Sequence, residues 1–271
     1  MAAIKVAIAG INGKMGRCST TAVVLDPELE LTGAFGVADA PYIGQDLSRF
    51  LATGDGDLGV CVSRDFEECI KSNKPDVLLE FTRAESAIKH AKLALENGIY
   101  PLIGTSGLQK GDFEVLEELC RKANLGAMHI PNFSIGAVLM MEFAQTAGKY
   151  FDNVEVVEMH GVKKLDAPSG TAMYTADKLS SNNKTFNKRE VDEREILKGA
   201  RGAEVSSGVR IHSIRLPGLI SHQDVVLGAP GELLEIKHAS FNTECFLAGI
   251  RLAAKKIVGR KGFSQGLENL L

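Results

Sequence analysis

The first half of the chain alternates short apolar runs with segments of helical periodicity. Five apolar runs predict buried strands, at residues 4–9, 29–35, 76–81, 100–104 and 126–131. Amphipathic runs predict helices between them, at residues 14–25, 84–98 and 110–126. Strands that alternate with helices indicate parallel βαβ units. We therefore predict an α/β fold with a Rossmann-like, doubly wound parallel sheet, in which ligands bind at the carboxyl ends of the strands.

The pattern changes after about residue 150. Apolar and polar positions alternate in four segments, as they do in strands with one covered face: 153–160, 208–216, 221–229 and 232–240. Pro-Gly turns at 217–218 and 230–231 separate the last three segments. These features predict a smaller α+β domain with a mostly antiparallel or mixed sheet that has one polar face.

Two further stretches complete the outline. Residues 245–259 form an amphipathic run, which predicts a last helix that returns to pack on the first domain. Residues 180–204 are rich in Asn, Lys, Arg and Glu, so we expect a long surface excursion there.

Composition narrows the class of protein. The 271 residues carry a formal net charge of −3, so a nucleic-acid partner is not expected. No run approaches the ~20 apolar residues of a membrane span, and a strand pattern starts almost at once, which leaves no room for a signal peptide. The five cysteines are scattered and the six histidines dispersed. We therefore expect reduced thiols, a cytoplasmic protein and no metal site.

A glycine-rich turn follows the first predicted strand. Gly10, Gly13 and Gly16 have the spacing G-x-x-G-x-x-G, a variant of the dinucleotide fingerprint. Glycine lets the backbone approach a pyrophosphate, and the following helix start offers free N–H groups and the positive end of a dipole. A tight strand–helix turn without a ligand is the alternative. The strand–turn–helix context favours nucleotide binding.

The end of the second predicted strand lacks the acid that usually binds the adenosine ribose. The sequence there is Phe35-Gly36-Val37-Ala38-Asp39, so the acid is absent or displaced to Asp39. Lys14 and Arg17 lie beside the glycine turn and could pair with a 2′-phosphate, which favours NADPH over NADH. Alternatively, both are solvated cations at a helix start.

The segment HGVKKLDAPSGTA, residues 160–172, concentrates more chemical groups than a plain connection needs. Ser169 suits the N-cap of a helix, and the N–H groups of the next two residues would then face an anion such as a carboxylate. Lys164 adds a point charge, and His160 can donate a proton near neutral pH. Beside a hydride-cofactor domain, this set fits a small polyanionic substrate. The alternative is a lysine-bearing surface loop before an ordinary capped helix.

These residues resemble a known family. Glu158, His160, Lys164 and the run 166–172 fit the pattern E-x-H-x-x-x-K-x-D-A-P-S-G-T-A. This pattern is similar to the signature of the 4-hydroxy-tetrahydrodipicolinate reductases of the diaminopimelate/lysine pathway. Four other segments resemble the family in order and spacing: GINGKMGR (10–17), EFT (80–82), GTSG (104–107) and PNFSIG (131–136). The resemblance runs along nearly the whole chain.

The resemblance implies a role for each matched segment. His160 would be the proton donor and Lys164 a second donor or charge stabiliser. Ser169, Gly170 and Thr171 would hold a substrate carboxylate. The residues implied to bind the cofactor are Gly10, Ile11, Asn12, Gly13, Lys14, Met15, Gly104, Thr105, Ser106, Pro131, Asn132, Phe133 and Ser134.

The resemblance further implies reduction of a cyclic dicarboxylate by NADPH, or alternatively NADH, with loss of a hydroxyl group as water. The family pairs a Rossmann-like domain with a mixed α/β domain whose sheet assembles a homotetramer. On this basis we expect residues 1–132 and 246–271 to bind the dinucleotide. Residues 133–245 would serve substrate binding and oligomerisation.

Three positions depart from the family. Gly161 stands where the family often has a second histidine, so Lys163 is a candidate for the missing substrate contact. The ribose-binding acid is absent from its usual place, and a family arginine is replaced at about Thr243. Two alternatives follow: a related reductase acting on another cyclic imine or enamine, and a nucleotide-sensing protein without turnover. The retained His160 and Lys164 argue against the second.

Overall fold

The computed structural model describes residues 2–51, 56–72, 74–189 and 191–271. Two compact units divide the chain. Met1–Ile135 and Phe246–Leu271 form the first unit, and Gly136–Cys245 form the second. Within the described residues, no helix combines the length and the apolar character needed to cross a membrane.

In the part of the chain that the structure describes, nineteen α-helices and β-strands follow one another. In order they are β1 (Ile4–Ala9), α1 (Lys14–Val24), β2 (Leu29–Phe35), β3 (Val62–Ser63), α2 (Phe66–Ser72), β4 (Val77–Glu80), α3 (Ala84–Glu96), β5 (Tyr100–Ile103), α4 (Lys110–Ala123), β6 (Gly126–His129), α5 (Ile135–Ala147), β7 (Asn153–His160), α6 (Gly170–Ser180), β8 (Ala203–Glu204), β9 (Arg210–Arg215), β10 (Ser221–Ala229), β11 (Glu232–Ser240), α7 (Leu247–Lys256) and β12 (Gly262–Gln265).

The first unit contains a seven-stranded sheet in the order β12-β6-β5-β4-β1-β2-β3, and every pair of neighbours is parallel. The predicted doubly wound parallel sheet is confirmed, and so are its five predicted strands. The strand order reverses at β1, which lies between β2 and β4. In open α/β sheets, ligands bind at the carboxyl ends of the strands beside such a reversal.

The strand β1 is buried on both faces. Val6, Ala7 and Ile8 are fully buried although successive side chains of a strand point to opposite faces. Helices therefore cover both sides of the sheet, which is why the strands of this unit are continuous apolar runs rather than alternating ones.

The second unit contains a five-stranded sheet in the order β11-β10-β7-β9-β8. The strand β10 is antiparallel to both β11 and β7, and β8 is antiparallel to β9. The pair β7 and β9 is parallel. The predicted mixed, mostly antiparallel sheet is confirmed.

One face of this second sheet is buried. Glu158 of β7 lies opposite Gln223 of β10, and both side chains are buried. Gln223 Nε2 donates to Thr175 Oγ1 of α6 at 2.7 Å and lies 3.8 Å from Met140 Sδ of α5. The helices α5 and α6 thus cover this face, and Glu158 is a charged residue within it.

The predicted surface excursion is connected to the sheet by ion pairs. Its described residues between 181 and 202 form no helix or strand, and the Ile196 side chain is 91% exposed. Arg201 Nη2 nevertheless lies 2.7 Å from Glu155 Oε1 of β7, and Arg210 Nη2 lies 2.7 Å from Glu204 Oε2. These pairs hold the end of the excursion against the strands.

Candidate active site

The glycine turn after β1 packs too closely for side chains. Gly10 has φ +80°, and a Cβ there would lie 2.8 Å from the carbonyl oxygen of Phe81. A Cβ on Gly16 would overlap the Gly10 carbonyl oxygen. The Gly13 N–H donates to that same oxygen at 3.0 Å and closes the turn. The predicted strand–turn–helix arrangement is confirmed, and two of its three glycines are required by close approach.

The start of α1 has no side-chain cap. Gly13 is the N-cap of α1 and has no side chain to cap it, and no acidic residue lies in the first turn. First-turn N–H groups have no acceptor within a helix, and they stand at the positive end of its dipole. A close backbone turn followed by uncapped N–H groups fits the pyrophosphate of a dinucleotide.

The two cations beside this turn are exposed but oriented. Arg17 Nη2 donates to Asn12 Oδ1 at 2.7 Å, and the guanidinium carbon lies 5.3 Å from the centroid of the Phe50 ring. Lys14 Nζ lies 5.6 Å from the ring centroid of Phe246. Arg17 is therefore held at the edge of the turn by a hydrogen bond and a cation–π contact.

The end of β2 has no carboxylate at the position expected for ribose binding. Tyr42 occupies the space beside Gly36, where a Cβ would lie 2.5 Å from the phenol oxygen. The Val37 N–H donates to this oxygen at 3.0 Å. Asp39 lies beyond the strand, exposed, with φ +62°. The space that the expected acid would occupy is therefore filled by the Tyr42 side chain.

The other predicted cofactor residues lie where β5 and β6 end. The rings of Phe81 and Phe133 meet edge to face, with centroids 5.6 Å apart, and Gly104 packs against both. Thr105 is buried, and its hydroxyl donates to the backbone of β4 at 3.3 Å, whereas Ser106 is exposed.

Residues 131–134, which follow β6, lie close to residues 104–106. The Ser134 N–H donates to Asn132 Oδ1 at 2.9 Å, and Ser134 is buried while Pro131 is exposed. His129 Nε2 lies 3.2 Å from the Thr105 carbonyl oxygen. The structure therefore brings residues 104–106 and 131–134 together, as the resemblance implied.

Sequence reasoning missed a buried polar pair at the end of β4. The Glu80 carboxylate is fully buried, and it accepts a hydrogen bond from the Thr82 N–H at 2.6 Å. His90 Nδ1 lies 2.6 Å from its other oxygen. These contacts fix the turn that carries Phe81 beside the glycine turn. An acid at the end of an otherwise apolar strand was the available signal.

In the second unit, His160 ends β7 and contacts a buried carboxylate. His160 Nδ1 lies 2.6 Å from Glu158 Oε2, and the Glu158 side chain is fully buried. Arg215 donates to both carboxylate oxygens, each at 2.8 Å. The Ser169 N–H donates to Glu158 Oε1 at 3.2 Å. One carboxylate thus connects the histidine, an arginine of β9 and the start of α6.

Burial and the contact between the two groups shift the pKa values of His160 and Glu158 in opposite directions. Burial lowers the pKa of His160 below its ordinary value, and Glu158 opposes this shift by hydrogen bond and charge, while Lys164 and Arg215 add to it. Burial raises the pKa of Glu158, but hydrogen bonds from Arg215, Ser213 and His160 hold it below its ordinary value. The carboxylate is therefore ionised at neutral pH.

The two lysines of the segment differ in their contacts. Lys164 Nζ lies 2.7 Å and 2.9 Å from the two carboxylate oxygens of Asp166, and its side chain is 25% exposed. Lys163 is exposed. Lys164 is close enough to His160 to lower its pKa, so the two predicted catalytic residues share one region.

The predicted cap of α6 is confirmed. Ser169 is the N-cap, and its hydroxyl oxygen accepts a hydrogen bond from the Ala172 N–H at 3.2 Å. Gly170 and Thr171 begin the first turn, where N–H groups have no acceptor within the helix. Carboxylate binding at this helix start stays a prediction.

The backbone explains one departure from the family pattern. A Cβ on Gly161 would lie 2.9 Å from the Leu219 carbonyl oxygen. A histidine at this position would require the backbone around Leu219 to shift. The third departure, Thr243, lies in a short 3-10 turn and is exposed.

Family models and relatives cover nearly the whole chain. A family model described as "Dihydrodipicolinate reductase, N-terminus" matches residues 4–133, and one described as "Dihydrodipicolinate reductase, C-terminus" matches residues 136–271. The 4-hydroxy-tetrahydrodipicolinate reductase of Bacillus velezensis is 43% identical over 268 residues, which are 99% of this chain and 98% of the relative. The Bacillus subtilis protein of that name is 40% identical over 268 residues, with the same coverage.

Solved structures give the same result. Dipicolinate-bound dihydrodipicolinate reductase from Paenisporosarcina sp. TG-14 is 39% identical, with a TM-score of 0.87 over 99% of this chain and 100% of the other. An amine dehydrogenase from Mycobacterium smegmatis, 15% identical with a TM-score of 0.68 over 96% and 94%, shares the fold alone. On the matched family models and the full-length relatives together, this chain belongs to the dihydrodipicolinate reductase family.

Proposed function

We propose that the protein reduces 4-hydroxy-tetrahydrodipicolinate to tetrahydrodipicolinate with NAD(P)H and releases water, in diaminopimelate and lysine biosynthesis. The observation that carries this proposal is the pairing, in one unit, of His160 on a buried carboxylate with an anion site at the start of α6. A cyclic dicarboxylate needs a site for its negative charge, and its reduction needs a proton. The dipicolinate bound to the Paenisporosarcina relative is a cyclic dicarboxylate and supports this substrate class.

We assign dinucleotide binding to the first unit and substrate binding to the second. When bound, the nicotinamide cofactor supplies the hydride. The backbone of residues 10–15 holds the pyrophosphate, because Gly10 and Gly16 allow close approach and the N-terminus of α1 is uncapped. Residues 104–106 and 131–134 line the nicotinamide side.

Within the cofactor class, we assign a preference for NADPH, with NADH as the second cofactor. Arg17 is held at the edge of the glycine turn, and a guanidinium there can pair with a 2′-phosphate. The acid that usually binds the ribose hydroxyls is replaced by Gly36 against Tyr42, so no carboxylate at that position repels the phosphate.

His160 supplies the proton. Its Nδ1 keeps the proton that faces Glu158, so the donor to substrate is Nε2–H of the doubly protonated imidazolium, which becomes the neutral Nδ1–H tautomer after the transfer. The substrate loses its hydroxyl group as water, and hydride then adds to one carbon of the conjugated ring. Negative charge develops on the neighbouring carbon–nitrogen system, which His160 protonates. Lys164 stabilises this charge in its partly buried position.

Ser169, Gly170 and Thr171 hold one substrate carboxylate at the start of α6. Remote binding of this kind orients the ring for the chemical step. Lys163, which is exposed on the loop before α6, takes the contact that a second histidine at position 161 would make.

We also propose that the protein is a cytoplasmic homotetramer that assembles through the second unit. Large apolar side chains of this unit are exposed, among them Ile196, Leu197, Ile214, Leu233 and Leu234. None of the five cysteines, all of which lie among the described residues, forms a disulfide, which suits a reducing compartment. Light scattering of the purified protein measures the oligomeric state, and a monomeric mass would contradict the assembly.

Substrate profiling tests the proposed function. The purified protein is mixed with hydroxy-tetrahydrodipicolinate, or with a cyclic imine that carries one carboxylate, and cofactor oxidation is followed. We expect turnover with the dicarboxylate and little with the monocarboxylate. The proposed site at the start of α6 holds one of the two substrate carboxylates. Preference for the monocarboxylate would indicate a reductase of another imine. Cofactor binding without any oxidation would indicate a nucleotide sensor.

A further inference from the structure

We propose that Glu158 is a positioning residue for His160 and that Arg215 locks the Glu158 carboxylate in the required geometry. This inference rests on the proposed function, in which His160 is the proton donor. Neither Glu158 nor Arg215 is assigned to substrate or cofactor binding above. Both would act through His160.

The contacts of Glu158 account for both of its oxygens. Oε2 lies 2.6 Å from His160 Nδ1 and accepts from Arg215 Nη1 at 2.8 Å. Oε1 accepts from Arg215 Nη2 at 2.8 Å and from the Ser169 N–H at 3.2 Å. The carboxylate meets only donors among these partners. It therefore requires a proton on His160 Nδ1, which fixes the tautomer and the orientation of the ring.

Strand register places Arg215 within hydrogen-bonding distance of the Glu158 carboxylate. In the parallel pair of β7 and β9, His160 lies opposite Arg215, and Glu158 lies opposite Ser213. Arg215 thus reaches diagonally across the pair to Glu158. Its Nη2 also donates to the Asp166 carbonyl oxygen at 2.8 Å, which ties the loop that carries Lys164 to the same guanidinium.

The same carboxylate also links the proton donor to the anion site. Through the Ser169 N–H, Glu158 holds the N-cap of α6, and through Nδ1 it holds His160. The distance between the proton donor and the carboxylate-binding helix start is therefore set by one buried group. Small displacements of reacting groups reduce rates strongly, so this spacing matters for catalysis.

Glu158 and Arg215 have opposite effects on the pKa of His160. Glu158 raises the pKa of His160, whereas Lys164 and Arg215 lower it. Asp166 pairs with Lys164 on the other side. Removing the Glu158 charge should therefore lower the pH midpoint of His160. Removing the Arg215 charge should raise it.

The test compares Glu158→Gln and Arg215→Met with the unaltered full-length protein. Histidine side-chain NMR of the free protein measures the His160 tautomer and its titration midpoint, and kcat/KM is measured against pH. We expect the midpoint to fall in Glu158→Gln and to rise in Arg215→Met. We also expect Glu158→Gln to lower kcat about tenfold or more while the KM for NADPH stays within about twofold, as for a misplaced general acid.

Glu155→Gln is the matched control, because Glu155 lies on the same strand and pairs with His212 and Arg201, each at 2.7 Å. It should leave the His160 midpoint unchanged. The double variant Glu158→Gln/Arg215→Met removes the buried carboxylate together with the partly exposed guanidinium that pairs with it, and should recover thermal stability but not kcat.

An unchanged tautomer and midpoint in Glu158→Gln would overturn the positioning role, even if the variant is less stable. This NMR result does not depend on turnover. If the unaltered protein had no reductase activity, the proposed function would fail, while the NMR shifts would still decide the role of Glu158.

Discussion

His160 and Glu158 share a 2.6 Å contact at the end of β7, with the carboxylate fully buried and the histidine side chain 12% exposed. Residues two apart on a strand point to the same face, so the strand itself brings the two groups together. The pairing leaves one ring nitrogen of the histidine for other partners. A histidine held by a carboxylate, beside the capped start of α6, is an arrangement suited to the proposed protonation of a dicarboxylate.

Replacing His160 with Gln should lower kcat by about 10²–10⁴-fold, because a positioned general acid contributes this much to rate. Cofactor affinity, measured by fluorescence titration with NADPH, should not change. His212→Gln is the control, since His212 also pairs with a glutamate of β7, at 2.7 Å. Near-normal turnover in His160→Gln would contradict the proton-donor assignment.

Replacing Lys164 with Met should lower kcat by about 10²-fold, because one charged donor to a developing anion is removed. Steady-state kinetics with saturating NADPH measures this loss. Lys184→Met is the matched control: its side chain is 26% exposed, against 25% for Lys164, and it pairs with Asp152 at 2.6 Å. Equal effects of the two substitutions would mean that Lys164 has a structural role only.

Gly16→Ala should destabilise the protein by about 1–3 kcal/mol, because a Cβ there would overlap the Gly10 carbonyl oxygen. Cofactor binding should weaken with it, as the turn opens. Gly111→Ala in α4 meets no atom within 4 Å and should stabilise the protein by about 0.5–1 kcal/mol. Thermal unfolding of both variants measures this difference in stability. A Gly16→Ala protein as stable as the original would mean that the turn is not closely packed.

Arg17→Gln should raise the KM for NADPH about tenfold or more and leave the KM for NADH nearly unchanged. A hydrogen bond to a charged group contributes about 1.5–3 kcal/mol, and only NADPH carries the 2′-phosphate. Arg121→Gln is the control, because Arg121 lies in the same unit and pairs with Glu118 at 2.7 Å. If Arg17→Gln raised both KM values equally, Arg17 would contribute to binding but not to selection.

The sequence predicted those helices and strands in which polar and apolar residues recur with a clear period. Asn153–His160, Ser221–Ala229 and Glu232–Ser240 match their predicted bounds, because polar and apolar positions alternate along each. Helix α5 was missed. Its residues Ala137, Val138, Met140 and Met141 are all buried, so the apolar run has too little of a polar face to reveal a helix.

The site was predicted only where its residues are close in sequence. The cap at Ser169 and the chemistry of His160 follow from neighbouring residues. Arg215 could not be assigned in this way, because its contact with Glu158 depends on the parallel register of β7 and β9, which no local pattern specifies. The collision that a side chain at Gly161 would meet also comes from a distant residue, Leu219.

Turnover of hydroxy-tetrahydrodipicolinate tests the central claim most directly. The purified protein is mixed with freshly made substrate and NADPH deuterated at the transferable position, and the product is analysed by mass spectrometry. We predict tetrahydrodipicolinate that carries one deuterium, formed in step with cofactor oxidation. Cofactor binding without deuterated product would contradict the assignment of this protein as the reductase.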